Sequence, residues 1–177
     1  MTAGKEYAKA LFMLSEEEGN TEGVLDDLLV ASRAVLDNRA YLELLDTPAL
    51  SKDEKLSLID EAFVSLDKNL VSLIKILCEK RETRRLPKIA KSFEELYDES
   101  RGIVRVEAVS AVEMTPSQLD AIKKKLEAGS GKTILISNTV TPEILGGVKL
   151  RYEGIQLDGS VKTRLDKLAA SLKSVIV

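Results

Sequence analysis

The 177-residue chain contains no histidine, no tryptophan and a single cysteine, Cys78. Without histidine, the commonest general base, the usual nucleophilic triads and most zinc sites are unavailable, which weakens the case for an enzyme while leaving lysine or carboxylate chemistry open. One cysteine permits no internal disulfide and fits a reducing compartment, with Cys78 expected in the core. No run of about 20 apolar residues occurs, and the opening MTAGKEYAKALF lacks the apolar stretch of a signal peptide, so no inserted membrane segment is expected. A net charge of −3 opposes general nucleic-acid binding, which rests on neutralising phosphates. What is present is a globular composition, 44% hydrophobic and 31% charged, enough for one sizeable core or two small ones.

From Lys5 to about Arg101 apolar residues recur at helical spacing, in short segments separated by clear punctuation. The first segment sets Tyr7, Leu11 and Leu14 on one stripe and Ala8 and Phe12 on the next, and stops near Gly19. A second, after Thr21, places Leu25, Leu28, Leu29, Ser32, Val35 and Leu36 on one face, and a short third, YLELLD, ends before Pro48. Ser51 and Glu54 have the spacing of a capping box, in which each side chain accepts the other's free backbone N–H, so a fourth helix begins near Lys52. A fifth, from about Lys68, carries Leu70, Leu73, Ile74 and Leu77; a sixth, with Pro87 tolerable in its first turn, carries Leu86, Ile89, Ala90, Phe93, Leu96 and Tyr97. Six short amphipathic helices predict an N-terminal bundle over residues 1–102.

After Gly102 the pattern changes. IVRVEAVSAVEM is valine-rich and alternating, as strands are. Thr115 and Pro116 open a helix expected to close at Gly129, where glycine tolerates the left-handed conformation of a helix end. Strand-like TILISNTVT, VKLRYEG and IQLD follow, and Val161, Leu165, Leu168, Leu172 and Val175 predict a closing amphipathic helix. Paired Gly146 and Gly147 suggest a bulge or a close backbone approach, Asp158 and Gly159 a tight turn, and Ser160 a helix cap. The fold class is therefore α+β: a helical bundle, then a small α+β domain over 103–177 with a short sheet and flanking helices.

One motif imitates chemistry. GSGKT, from Gly129 to Thr133, ends like a phosphate-binding loop, but Leu126 stands where the first glycine belongs. A working loop leaves a strand and enters a helix, so that the helix N-terminus faces the anion. Here Leu119, Ile122 and Leu126 at helical spacing come first and the β-branched residues come after, so no nucleotide is expected at Gly129–Thr133. Cofactors, metals and catalytic residues are all expected to be none. The cluster Lys80, Arg81, Arg84, Arg85, Lys88 and Lys91 is interrupted by Glu79 and Glu82 and reads as a solvated helix connection; an RNA-binding helical adaptor using Arg84 and Arg85 is the alternative reading.

The first helix is apolar around most of its circumference, and in the fifth Val71 and Ile76 lie off the main stripe. Such a helix is either buried on all sides or offers a second face to a partner helix.

These stretches resemble the delta subunit of bacterial F-type ATP synthase, equivalent to the mitochondrial oligomycin-sensitivity-conferring protein. YAKALF matches the family's opening motif, LLDTPALSKDEKLSLI its proline-ended third helix and the next, and NLVSLIKILCEKRETRRLPKIAKSFEELYDESRG its paired fifth and sixth helices. In TPEILGGVKLRYEGIQLDGSVKTRLDKL, residues Gly146, Gly147, Gly154, Asp158, Gly159, Ser160, Val161, Arg164 and Leu165 match the family signature in order and spacing. Thr141 departs from it, standing where many members have aspartate. The resemblance implies a non-enzymatic stator in the peripheral stalk, on the cytoplasmic face of the cell membrane without insertion into it. The helical domain would receive the N-terminal helix of an alpha subunit between its first and fifth helices, and the C-terminal domain would hold the C-terminal end of the b-subunit stalk. Carried over by motif, the contact residues are Tyr7, Ala10, Leu11 and Leu14 on the first helix and Ser72, Ile76 and Lys80 on the fifth.

Overall fold

The computed structural model describes residues 3–142, 148–152 and 155–157. Seven α-helices and four strands occupy them: α1 Ala3–Glu17, α2 Thr21–Asp37, α3 Arg39–Asp46, α4 Lys52–Ala62, α5 Lys68–Glu79, α6 Leu86–Arg101, β1 Ile103–Ser110, α7 Pro116–Ser130, β2 Thr133–Val140, β3 Val148–Tyr152 and β4 Ile155–Leu157. The α+β class is as expected. The predicted helix over 161–175 and the glycine turns at 146–147, 154 and 158–160 lie outside the described residues.

The chain divides into two compact units, Met1–Tyr97 and Asp98–Val177. The division falls inside α6, ahead of the composition change at Gly102. The reason is local: Asp98 in the last turns of α6 accepts two hydrogen bonds from the guanidinium of Arg105 on β1, at 2.6 and 3.1 Å, which ties that turn to the sheet.

In the first unit, local signals set the helix ends. Ser51 Oγ accepts from Glu54 N–H at 3.3 Å while Glu54 Oε2 accepts from Ser51 N–H at 2.8 Å, so the capping box starts α4 where the sequence puts it. Asp67 caps α5 by accepting from Asn69 and Leu70 N–H. The core gathers one stripe from each helix, with Leu28, Leu45, Ile59, Leu70, Ile74, Leu77, Leu86, Ile89 and Phe93 almost wholly enclosed. Phe93 meets Phe12 edge-to-face with ring centroids 5.5 Å apart. Cys78 is buried as expected. Leu36 departs from its expected face: it is 65% exposed, while Val35 in the same last turn of α2 is the residue that enters the core.

The second unit is a sheet of order β2-β1-β3-β4. β1 and β2 are parallel, joined by α7 as a crossover, and β3 and β4 are antiparallel to their neighbours. Ile122 and Leu126 of α7 pack on Val104, Val106, Ala108, Ile134, Leu150 and Tyr152. Residues 111–114, which the alternating pattern extends into the strand, leave the sheet instead: Val112 is exposed, and Met114 N–H donates to Asn138 Oδ1 at 2.8 Å. The same Asn138 donates from Nδ2 to the Ala108 carbonyl and to Ser110 Oγ, each at 2.8 Å, so one side chain holds the end of β1 to β2.

Candidate functional site

Helices α1 and α5 lie side by side in opposite directions, an arrangement fixed by ties at both ends. At one end Lys80 Nζ donates to Tyr7 Oη at 2.8 Å and stands 5.4 Å from the centre of that ring. At the other, Glu18 accepts from Asn69 Nδ2 at 3.0 Å and pairs with Lys68 at 3.3 Å. Both ties shift titration in the expected direction. The hydrogen bond to Tyr7 raises the Lys80 ammonium above its ordinary value, and those from Asn69 and then Lys68 lower the Glu18 carboxyl below its own.

Pairing 7 with 80 and 18 with 69 sets Leu11 level with Ile76 and Leu14 level with Leu73. Along this seam the candidate residues take different places. Leu14 and Ile76 are each 45% exposed, and Ala10, Ser72 and Lys80 are exposed beside them. Tyr7 is partly buried under Lys80. Leu11 is not on the surface: at 3% exposure it belongs to the core with Leu73, because it lies on the side of α1 shared with Ala8 and Phe12. Leu11 therefore supports the seam from beneath. Sequence reasoning missed Met13, 54% exposed, which extends the apolar strip outward. Its signal was present, since it is one of the apolar residues around the whole circumference of α1.

The other motifs resolve differently. GSGKT spans the end of α7 and the start of β2, so the loop sits at a helix C-terminus, where carbonyls rather than N–H groups are free. The left-handed residue is Gly131, at φ 70°, and not Gly129, which remains helical; Gly131 N–H donates to the Glu127 carbonyl and closes α7 two residues later than expected. In the basic cluster Arg84 pairs with Asp46 at 3.3 Å and Arg85 with Glu82 at 3.0 Å, so both guanidiniums named for RNA contact have carboxylate partners. Among the described residues no group of histidine, cysteine and carboxylates could hold a metal, and no helix is long and apolar enough to cross a membrane. The signature residues Gly146, Gly147, Gly154, Asp158, Gly159, Ser160 and Arg164 lie outside the described residues.

Comparison with known proteins agrees with the resemblance over nearly the full chain. The ATP synthase delta (OSCP) subunit family matches residues 3–172. ATP synthase subunit delta of Clostridioides difficile (strain 630) is 33% identical over 172 residues, covering 96% of this chain and 95% of that protein. The protein of the same name from Carboxydothermus hydrogenoformans is 32% identical, covering 97% of each. In fold, the chain is similar to one in the cryo-EM structure of the Toxoplasma gondii mitochondrial ATP synthase hexamer, with a TM-score of 0.69 at 24% identity over 97% of this chain and 98% of that one. With a family match that spans both units and relatives matched almost end to end, the chain belongs to the ATP synthase delta (OSCP) subunit family.

Proposed function

We propose that this protein is the joint of the peripheral stalk of an F-type ATP synthase, on the cytoplasmic face of the membrane, where it keeps the catalytic head from turning with the rotor. It has no catalytic role of its own. The six-helix domain, residues 1–102, takes the N-terminal helix of an alpha subunit along the seam of α1 and α5. The C-terminal domain, residues 103–177, holds the C-terminal end of the b subunit. Proton-driven rotation is thereby coupled to ATP synthesis.

The observation that carries this reading is the half-exposed pair Leu14 and Ile76 on facing flanks of two tied helices, above a floor closed by Leu11 and Leu73. The seam is a shallow track rather than an empty slot. An amphipathic helix laid along it would remove the exposed halves of Leu14 and Ile76 from water, which contributes about 1 kcal/mol apiece, and Met13 adds to this on the outer flank. Tyr7 and Lys80 bound the track with one hydrogen-bonding and one cationic group, able to meet a carboxylate on the visiting helix. A joint under torque needs slow release, which apolar helix burial provides.

The test is titration of the chain with an alpha-subunit N-terminal peptide. Ile76→Asp is expected to weaken binding by more than about tenfold while leaving helicity and thermal stability near those of the wild type. Unchanged affinity in a folded variant refutes the assignment of α5, and loss of fold would place Ile76 in the core.

A further inference from the structure

Where α4 packs against α5, a cleft of about 280 Å³ opens, lined by Leu56 and Cys78 and by four charged side chains, Lys52, Lys55, Glu79 and Arg81. Lys52 is neutralised by Glu79 at 3.0 Å. Lys55 and Arg81 have no ion-pair partner among the described residues. The cleft therefore carries two uncompensated positive charges beside an apolar lining.

Arg81 occupies an unusual position. It follows the C-terminus of α5 with φ 56°, in the left-handed region that favours glycine. Glu82 N–H donates to the Leu77 carbonyl at 2.7 Å and Arg81 N–H to the Cys78 carbonyl at 3.0 Å, the pair of bonds that usually closes a helix on glycine. A large side chain is strained there. The strain places a guanidinium in the cleft lining, where a glycine would leave none.

We infer that this cleft is a binding site for a small phosphate-bearing anion, held between Lys55 and Arg81. Two unpaired cations match a doubly charged phosphate, with the planar fork of arginine able to take two oxygens and lysine acting as a point charge. The volume exceeds that of a phosphate group, and Leu56 and Cys78 can receive an attached organic portion. Free phosphate and the phosphate of a nucleotide are the two sources of that chemistry.

The experiment is thermal unfolding of the full chain at mildly alkaline pH and low ionic strength, with added phosphate, ADP or ATP, each compared with chloride at matched ionic strength. Phosphate is expected to raise the melting temperature above the chloride control. Lys55→Gln and Arg81→Gly are each expected to weaken the apparent affinity by about tenfold. Arg81→Gly carries its own control: relief of the left-handed strain raises the melting temperature in chloride even as the phosphate increment is lost. Larger increments with ADP or ATP assign the apolar lining to the nucleoside, and equal increments assign the site to the phosphate group alone; both uphold it. No increment above chloride, or an increment retained in both variants, overturns it.

Discussion

The two units differ in what they leave on their surfaces. The helical unit has apolar residues to spare: after filling a core with one stripe from each helix, it still exposes Met13, Leu14, Val30, Leu36, Leu44, Val64 and Ile76. Among the described residues the sheet unit has a smaller core and exposes only Val112, Leu135 and Val140 of its large apolar side chains, and the face of its sheet away from α7 sets polar contacts beside Val109 and Leu135. There Thr139 Oγ1 donates to Glu107 Oε1 at 2.6 Å, Arg151 reaches the other oxygen of Glu107 at 3.5 Å, and Arg105 grips Asp98. One unit can gain stability by adding a helix to its surface; the described surface of the other sets charge and hydrogen bonds among fewer exposed apolar side chains, and such polar contacts favour selection over tight burial. The difference comes from period. A helix that is apolar all round must show one side, whereas a strand sends alternate residues to opposite faces and can keep one face polar.

The largest test of this contrast is Phe93→Ala. It empties the centre of the helical core and removes the partner of Phe12, with an expected loss of about 3–5 kcal/mol, read by chemical denaturation. Asn138→Ala strikes the sheet unit through polar contacts instead, leaving the Met114 N–H and the Ala108 carbonyl without that partner, with an expected loss of about 1–3 kcal/mol. If the two losses were equal, the division into an apolar and a polar construction would fail. Ser51→Ala is smaller, about 1 kcal/mol. It also has a pH signature. Hydrogen bonds from the Ser51 hydroxyl and backbone hold the Glu54 carboxyl below its ordinary value, so its contribution is present above the unfolded carboxyl's pKa and lost as pH falls through the folded one. Ser51→Ala should therefore flatten the acid limb of the stability curve. Smallest of all on folding is Ile76→Asp, expected within about 0.5 kcal/mol of wild type, though it should remove most of the affinity for the alpha-subunit peptide.

The helical unit was the more legible because its signals are local. Ser51 with Glu54, Thr115 with Pro116, and the apolar stripes announce themselves within a few residues, and the helices begin and end close to where those signals lie. Ile76 was identifiable as an apolar residue off the stripe. Leu11 was not, because sequence spacing places it on the same stripe as Tyr7 and Leu14 while packing turns it inward. In the sheet unit the strands could be read but their order could not, since β1 pairs with β2 and β3 across long stretches of chain that no short window contains. The cleft at Lys55 and Arg81 was equally hidden: its charges come from separate helices, and nothing in the letters shows that Arg81 takes a glycine's backbone conformation.

Fastening α1 to α5 at Tyr7 and again at Glu18 sets a ruler for whatever lies between them. Eleven residue steps of helix span about 16 Å, or three turns, so a visitor gains from each added turn only until it reaches the second fastening. Shortened peptides should lose affinity turn by turn below that length, and lengthened ones should gain nothing. The grip on the head would then be limited in reach by this protein rather than by the helix it holds.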